Sequence, residues 1–315
     1  MYEIFAIERG RITKVDEIQD NVWINMVRPT PEEVEMVASV LNIDKAPIMA
    51  ALDDEEESRV EIESDYSLIL IDAPATEIRN QKEQYATYPL SIIITSKAIL
   101  TVSLVDIRSI RSIIDNKYKH STSIDVEDRT YFALTIMYRI SMQYQNYLKV
   151  IAKKRMTIEA SIRNKTQRND LFELHELEAN LVYFKTSLSV NISILERLSK
   201  QFKFITEPKD RDLIEDVMVE TDQALKMTTT YSEIIRGTRQ LVQADINNSL
   251  TGIMKFLTSI TLVVSIPTMI SGIFGMNFIN IPLGEHPLGF IFTVSLMMAV
   301  MYVSIRYLRK RDLWR

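Results

Sequence analysis

The chain has 315 residues, 37 basic and 42 acidic side chains, a formal net charge of −5 and 46% hydrophobic residues. That balance excludes a disordered chain, a collagen-like fibre and a strongly basic nucleic-acid binder. There is no cysteine, which excludes disulfides and thiolate chemistry. Of the seven glycines only Gly10 and Gly237 precede residue 250, too few for a Walker loop or a GxGxxG fingerprint. His120, His175 and His286 lie far apart, so a histidine-rich zinc site is not expected, and no GxSxG elbow occurs. No enzymatic activity and no cofactor are expected.

The opening stretch MYEIFAIERG has no basic segment leading into an apolar run, so no signal peptide is expected. Tyr2 to Ile7, Val22 to Val27, Val60 to Ile62, Tyr66 to Ile71, Leu90 to Thr95 and Ala98 to Val102 are β-branched and aromatic, and predict strands. Between them Thr30-Pro31-Glu32-Glu33 predicts a helix start: Thr30 caps, Pro31 takes the first helical position and Glu33 completes a capping box. The helix from Pro31 to Leu41 carries Val34, Val37 and Leu41 on one face. This first region reads as a small α/β domain.

From Leu90 to Glu207 there is neither proline nor glycine. Leu174, Leu177, Leu181, Phe184, Leu188, Asn191, Leu195, Leu198, Phe202 and Ile205 follow steps of three and four, a heptad seam. A looser stripe runs through Leu134, Met137, Tyr144, Leu148, Ile151, Ile158 and Ile162. Two long antiparallel helices turning near Asn164 to Asp170 are expected, with the seam as helix-on-helix core. Asn191 is expected to set their register, as a buried polar seam residue does.

Pro208 opens a third long helix. Its pattern passes without a stop into an uncharged run of 19 residues, Phe256 to Phe274, which spans about 28 Å as a helix. Pro287 to Ile305 is a second uncharged run of the same length. Arg306, Arg309, Lys310, Arg311 and Arg315 crowd its end, whereas the connecting loop holds Glu285 and no lysine or arginine. The positive-inside rule then places both termini in the cytoplasm of a multi-pass cell-membrane protein, with the basic tail against lipid headgroups.

Down the first span, heptad steps pick out Thr251, Met254, Thr258, Thr261, Ser265, Thr268, Gly272 and Gly275, small or hydroxyl-bearing and uncharged. Such a stripe lines an aqueous pore or packs helices in a bilayer. Pro267 interrupts it and frees a backbone carbonyl. The span ends at Phe274-Gly275-Met276-Asn277-Phe278. Glycine and asparagine at a helix end make a C-cap, but here they stand between a penultimate span and an external loop.

On Gly275-Met276-Asn277 with Phe274 and Phe278, and on the whole layout, the chain resembles the CorA family of divalent metal ion transporters. The resemblance implies an α+β membrane protein: a cytoplasmic α/β domain (1–120), a long helical hairpin (121–206) and the cytoplasmic part of a stalk helix (207–255). A pore-lining span (256–274), an external loop (275–287), a second span (288–306) and a basic cytoplasmic tail (307–315) complete it. It implies a pentameric funnel around a pore lined by the first span, with Gly275, Met276 and Asn277 at its outer mouth. Mg²⁺ is then both the transported and the regulatory ion.

Hydrated Mg²⁺ suits such a bore, because the ion sheds its water reluctantly and anionic side chains would hold it too tightly. The membrane potential supplies about 4.6 kcal/mol per divalent ion at ~100 mV, so no ATP site is needed. Glu207 to Asp222 holds seven acids, and by analogy Asp216 is the stalk member of a regulatory site, with Asp72 and Glu77 as candidate partners. The same acids also suit a solvated face. Many relatives carry an acid soon after the motif; here Ile279-Asn280-Ile281-Pro282 follows Phe278, and Glu285 is the displaced candidate. Transport of Co²⁺, Ni²⁺ or Zn²⁺ by the same fold, and a membrane-tethered coiled-coil scaffold, are the alternatives.

Overall fold

The strands read from the sequence are apolar on both faces, and the layering explains why. A computed structural model describes residues 1–8, 11–54, 56–79, 82–115, 128–164, 168–201, 204–276 and 287–310. Seven strands form one mixed sheet: β1 Tyr2–Glu8, β2 Arg11–Val15, β3 Val22–Val27, β4 Arg59–Ile62, β5 Tyr66–Arg79, β6 Lys82–Thr95 and β7 Ala98–Ser103. Their order is β2-β1-β3-β7-β6-β5-β4, with only β3 and β7 parallel. Helices α1 (Pro31–Leu41) and α2 (Ala46–Met49) bury Val34, Val37 and Ile48 with Ile24, Leu68 and Leu100. On the opposite face α3 (Arg108–Ile114), α4 (Arg129–Asn164) and α5 (Arg168–Ser199) pack with Trp23, Ile69, Ile71 and Ile92. A sheet covered on both sides needs continuous apolar strands rather than alternating ones.

Local chemistry sets the ends of α1 as the sequence predicts. Both halves of the capping box are present: Glu33 N–H donates to Thr30 Oγ1 at 3.3 Å and Thr30 N–H to the Glu33 carboxylate at 2.9 Å. Asn42 closes the helix in the left-handed region, at φ 55°. In the sheet centre Trp23, wholly buried, donates its indole N–H to Thr101, whose hydroxyl donates to Asn25 Oδ1, each at 2.9 Å. The chain thereby satisfies the polar atoms that its central strands bury.

Two strands are longer than expected. The predicted strand from Leu90 begins at Lys82, and the one from Tyr66 runs on to Arg79. Pro89 and Pro74 argue against such length, but the register pairs Asp72 with Pro89 and Pro74 with Thr87. These pairs have the same parity, and Asp72 turns its backbone N–H and C=O to Asn191 instead of β6. Both prolines therefore occupy positions where a missing N–H breaks no bond between β5 and β6. Strand β2 and helices α2 and α3 were not among the predicted elements; they are short, and α2 and α3 have no side-chain cap.

The seam residues Leu174, Leu177, Leu181, Phe184, Leu188, Leu195 and Leu198 are all buried on α5. They pack in one core with Tyr85, Leu90 and Ile92 of the sheet as well as with α4, so the stripe is not helix-on-helix core alone. Phe202 lies outside the described residues.

Helix α6, Pro208–Phe274, takes part in two compact units, Met1–Thr238 and Arg239–Arg315. The second unit also holds α7, Gly289–Lys310.

Candidate ion pathway

Within the second unit, burial divides α6 into faces. Ser259 and Val263 are buried, and Ile266, Pro267, Ile270 and Phe274 are half-buried. At about 100° per residue these positions share one side of the helix. Thr251, Met254, Thr258, Thr261, Ser265, Thr268, Gly272 and Gly275 are all exposed and centre about half a turn away. The flanks, including Leu257, Leu262, Val264, Met269 and Ile273, are exposed and apolar. Only 11% of the apolar window of α6 and 6% of that of α7 is buried. Both helices have the length and composition to cross a membrane, and their apolar flanks suit lipid.

Four of the five hydroxyls of the stripe are already committed as donors. Thr251 donates to the Asn247 carbonyl at 2.8 Å, Thr261 to Leu257 at 2.9 Å, Ser265 to Thr261 at 2.7 Å and Thr268 to Val264 at 2.8 Å. Each hydroxyl has one proton, so the oxygen can offer only lone pairs outward. That face accepts hydrogen bonds and carries no charge. It suits the water shell of a cation and does not suit an anion.

The helix runs out at the motif. Gly275 N–H still reaches Ser271 O at 2.9 Å, and Met276 N–H reaches Ile273 O at 3.3 Å. A side chain at Gly275 would press on Ser271 O at 3.2 Å, whereas one at Gly272 would meet nothing within 4 Å. The last carbonyls and the negative end of the helix dipole therefore lie at the motif, where a cation is stabilised without a carboxylate. Asn277, Phe278 and Glu285 lie outside the described residues, as do Arg311 and Arg315. Arg306, Arg309 and Lys310 are exposed in the last turn and a half of α7.

The three regulatory candidates are placed differently. Asp216 is exposed on α6, and its charge, with that of Glu220, helps push up the Tyr138 hydroxyl, which is shifted mainly by burial. Asp72 turns inward: burial raises its carboxyl above the ordinary range, opposed by hydrogen bonds from Ser187 and Ser58. Glu77 accepts the Tyr88 hydroxyl across β5 and β6. Among the described residues no three His, Asp or Glu side chains of one chain gather as a metal centre.

A polar foot of α6 had no counterpart in the sequence reading. Asp128 caps α4, accepting Tyr131 N–H at 3.0 Å, and Lys209 Nζ lies 2.6 Å from Asp128 and 3.2 Å from Glu207. Asp210 accepts Glu207 N–H at 3.1 Å, is 0% exposed, and leaves its other oxygen unbonded. Burial first, and the Asp128 and Glu207 charges after it, raise its pKa against the Glu207 hydrogen bond. The folded chain then holds this proton more tightly than the unfolded one, so stability falls as pH rises from the unfolded carboxyl value to the raised one. Asp210→Asn keeps the Glu207 acceptor and removes the buried charge. It is expected to stabilise the protein by about 1 kcal/mol at neutral pH. Thermal melts of both forms at acidic and neutral pH should show the gap closing in acid.

A family model described as "CorA-like Mg2+ transporter protein" matches residues 19–310. The chain belongs to this family. It is 29% identical over its full length to the full-length "Cobalt/magnesium transport protein CorA" of Methanocaldococcus jannaschii. The protein of the same name from Thermotoga maritima is 23% identical over 49% of this chain and 44% of its own length. The complete structure of the M. jannaschii CorA magnesium transporter superposes on 100% of this chain and 99% of its own, with TM-score 0.86 and 26% identity. The match runs through both apolar helices, so this CorA-like chain shares the full layout and not only the soluble domain.

Proposed function

We propose that this CorA-like protein is a homopentameric Mg²⁺ channel in the cell membrane, with both termini cytoplasmic and α6 lining the pore. The observation that carries the reading is the exposed, uncharged hydroxyl face of α6, opposite its buried face, with four of its five hydroxyl protons turned back into the helix. Five such faces around an axis form a bore of acceptors that passes a hydrated ion along without stripping it. Gly275, Met276 and Asn277 stand at the outer mouth. Asn277 amide oxygens and Gly275 carbonyls accept from the ion's water shell, and the helix ends draw cations in with or without Glu285. Cytoplasmic Mg²⁺ held by Asp216 and a neighbouring subunit's carboxylate, for which Asp72 and Glu77 are the candidates, keeps the pore closed. The bond already made to Glu77 and the inward turn of Asp72 leave Asp216 as the more accessible partner.

Reconstituted in liposomes with a magnesium-sensitive dye and a negative interior, the protein should take up Mg²⁺. Asn277→Ala should lower that uptake at least tenfold, about 1.4 kcal/mol at the barrier; uptake at the unaltered rate would remove the motif from the mechanism. In the same vesicles, Asp216→Ala should weaken inhibition by Mg²⁺ on the cytoplasmic side. Unchanged inhibition would return Asp216 to the solvated acidic face.

Cobalt is the second reading, favoured by the name of the M. jannaschii relative. Uptake of Co²⁺ but not Mg²⁺ in this assay would establish it over the first.

A further inference from the structure

Where the first half of β6 meets the hairpin of α4 and α5, a cleft of about 360 Å³ opens within the first unit. Glu83 and Tyr85 of β6, Lys154 of α4, and Glu173, Glu176 and Asn180 of α5 line it. The three α5 residues recur at helical spacing and share one face. Asn180 is only 8% exposed, borders the cleft, and makes no side-chain hydrogen bond among the described residues. Its amide atoms reach solvent through the cleft, although its helix neighbours Leu177 and Leu181 show that leucine suits this seam. An asparagine at this position gives the cleft a donor and an acceptor that a leucine would not.

Lys154 holds its ammonium 5.2 Å from the centroid of the Tyr85 ring, which is braced by Tyr147 at 4.9 Å and Phe184 at 6.3 Å. No carboxylate pairs with Lys154 among the described residues, although Glu83 and Glu176 line the same cleft. A simple anion would face those glutamates, and a simple cation would meet Lys154. A molecule carrying both charges on an apolar body meets neither repulsion. Ile158 and Leu177, with the Tyr85 ring, supply an apolar wall for that body. The volume lies in the usual range for small-molecule sites.

We propose that this cleft binds a small zwitterion of the amino-acid class, its carboxylate on Lys154, its ammonium among the glutamates and its polar end hydrogen-bonded to Asn180. The test is isothermal titration of the full-length protein in detergent. The zwitterions are leucine, phenylalanine and γ-aminobutyrate; 3-methylbutylamine and 4-methylpentanoate carry one charge each. At least one zwitterion should bind saturably, and at least about tenfold more tightly than either single-charge compound. Lys154→Met and Asn180→Leu should each weaken it by about tenfold, while Asn180→Leu unfolds at or above the wild-type temperature. Lack of saturation by all three zwitterions, equal binding of the amine, or full affinity in both variants would overturn the proposal.

Discussion

Thr261→Lys is expected to abolish Mg²⁺ uptake while leaving the oligomer intact. Thr261 lies on the exposed, uncharged face of α6, and its hydroxyl donates to Leu257 O, so its side chain holds no other part of the chain in place. In a pentamer the substitution sets five ammonium groups around the bore. At about 6 Å, and even with the dielectric constant of water, five such charges oppose a divalent ion by about 7 kcal/mol before ionic screening. A tenfold slowing needs only ~1.4 kcal/mol, so the block should be complete. Thr261→Ser keeps the acceptor and should conduct normally; Thr261→Val keeps the shape, loses the acceptor, and should conduct several-fold more slowly. Dye-reported uptake, read beside size-exclusion profiles, separates a blocked pore from a failed assembly. A lysine variant that assembles and conducts like the wild type would turn this face away from the pore.

The stripe was legible because the signal is local: an uncharged run of bilayer length with small and hydroxylated residues at heptad steps needs no knowledge of the rest of the chain. Helix α1 was legible for the same reason, since Thr30, Pro31 and Glu33 act within one turn. The first halves of β6 and the extension of β5 were not. Lys82-Glu-Gln-Tyr-Ala-Thr-Tyr-Pro89 is polar and ends in proline, and only the register with Asp72 shows that the missing N–H leaves the pairing with β5 intact. Asp128 ahead of α4 was readable as a cap, but its neighbour Asp210 comes 82 positions later, and no spacing rule joins them. Asn180 sits between seam leucines, and no spacing in the sequence marks the cleft beside it. For Asn191 the sequence points to a register-setting role but not to the partner, which lies 119 residues away on a strand.

That partner makes Asn191→Leu a destabilising change in the first unit, in contrast to Asp210→Asn. Asn191 is 5% exposed, and its amide works as a strand would: Oδ1 accepts Asp72 N–H at 3.1 Å and Nδ2 donates to Asp72 O at 2.8 Å. The same carbonyl accepts the Tyr144 hydroxyl at 3.1 Å, so it keeps one partner when Asn191 is lost. The Asp72 N–H keeps none, because β5 turns it away from β6. An orphaned buried donor costs about 1–3 kcal/mol, and the loss of the second bond adds about 1 kcal/mol. A buried leucine returns about 1–1.5 kcal/mol of apolar transfer energy. The balance is a loss of about 2 kcal/mol, a fall of on the order of 5 °C in the unfolding temperature. Trp23, wholly buried in the same core as Leu188 and Leu195, reports that transition by its fluorescence. Hydrogen exchange adds a residue-specific readout: the Asp72 amide should lose protection in Asn191→Leu while the neighbouring ladder amides of β5 keep theirs. A variant as stable as the wild type, with Asp72 still protected, would show that α5 is seated on the sheet by its leucines and not by this amide.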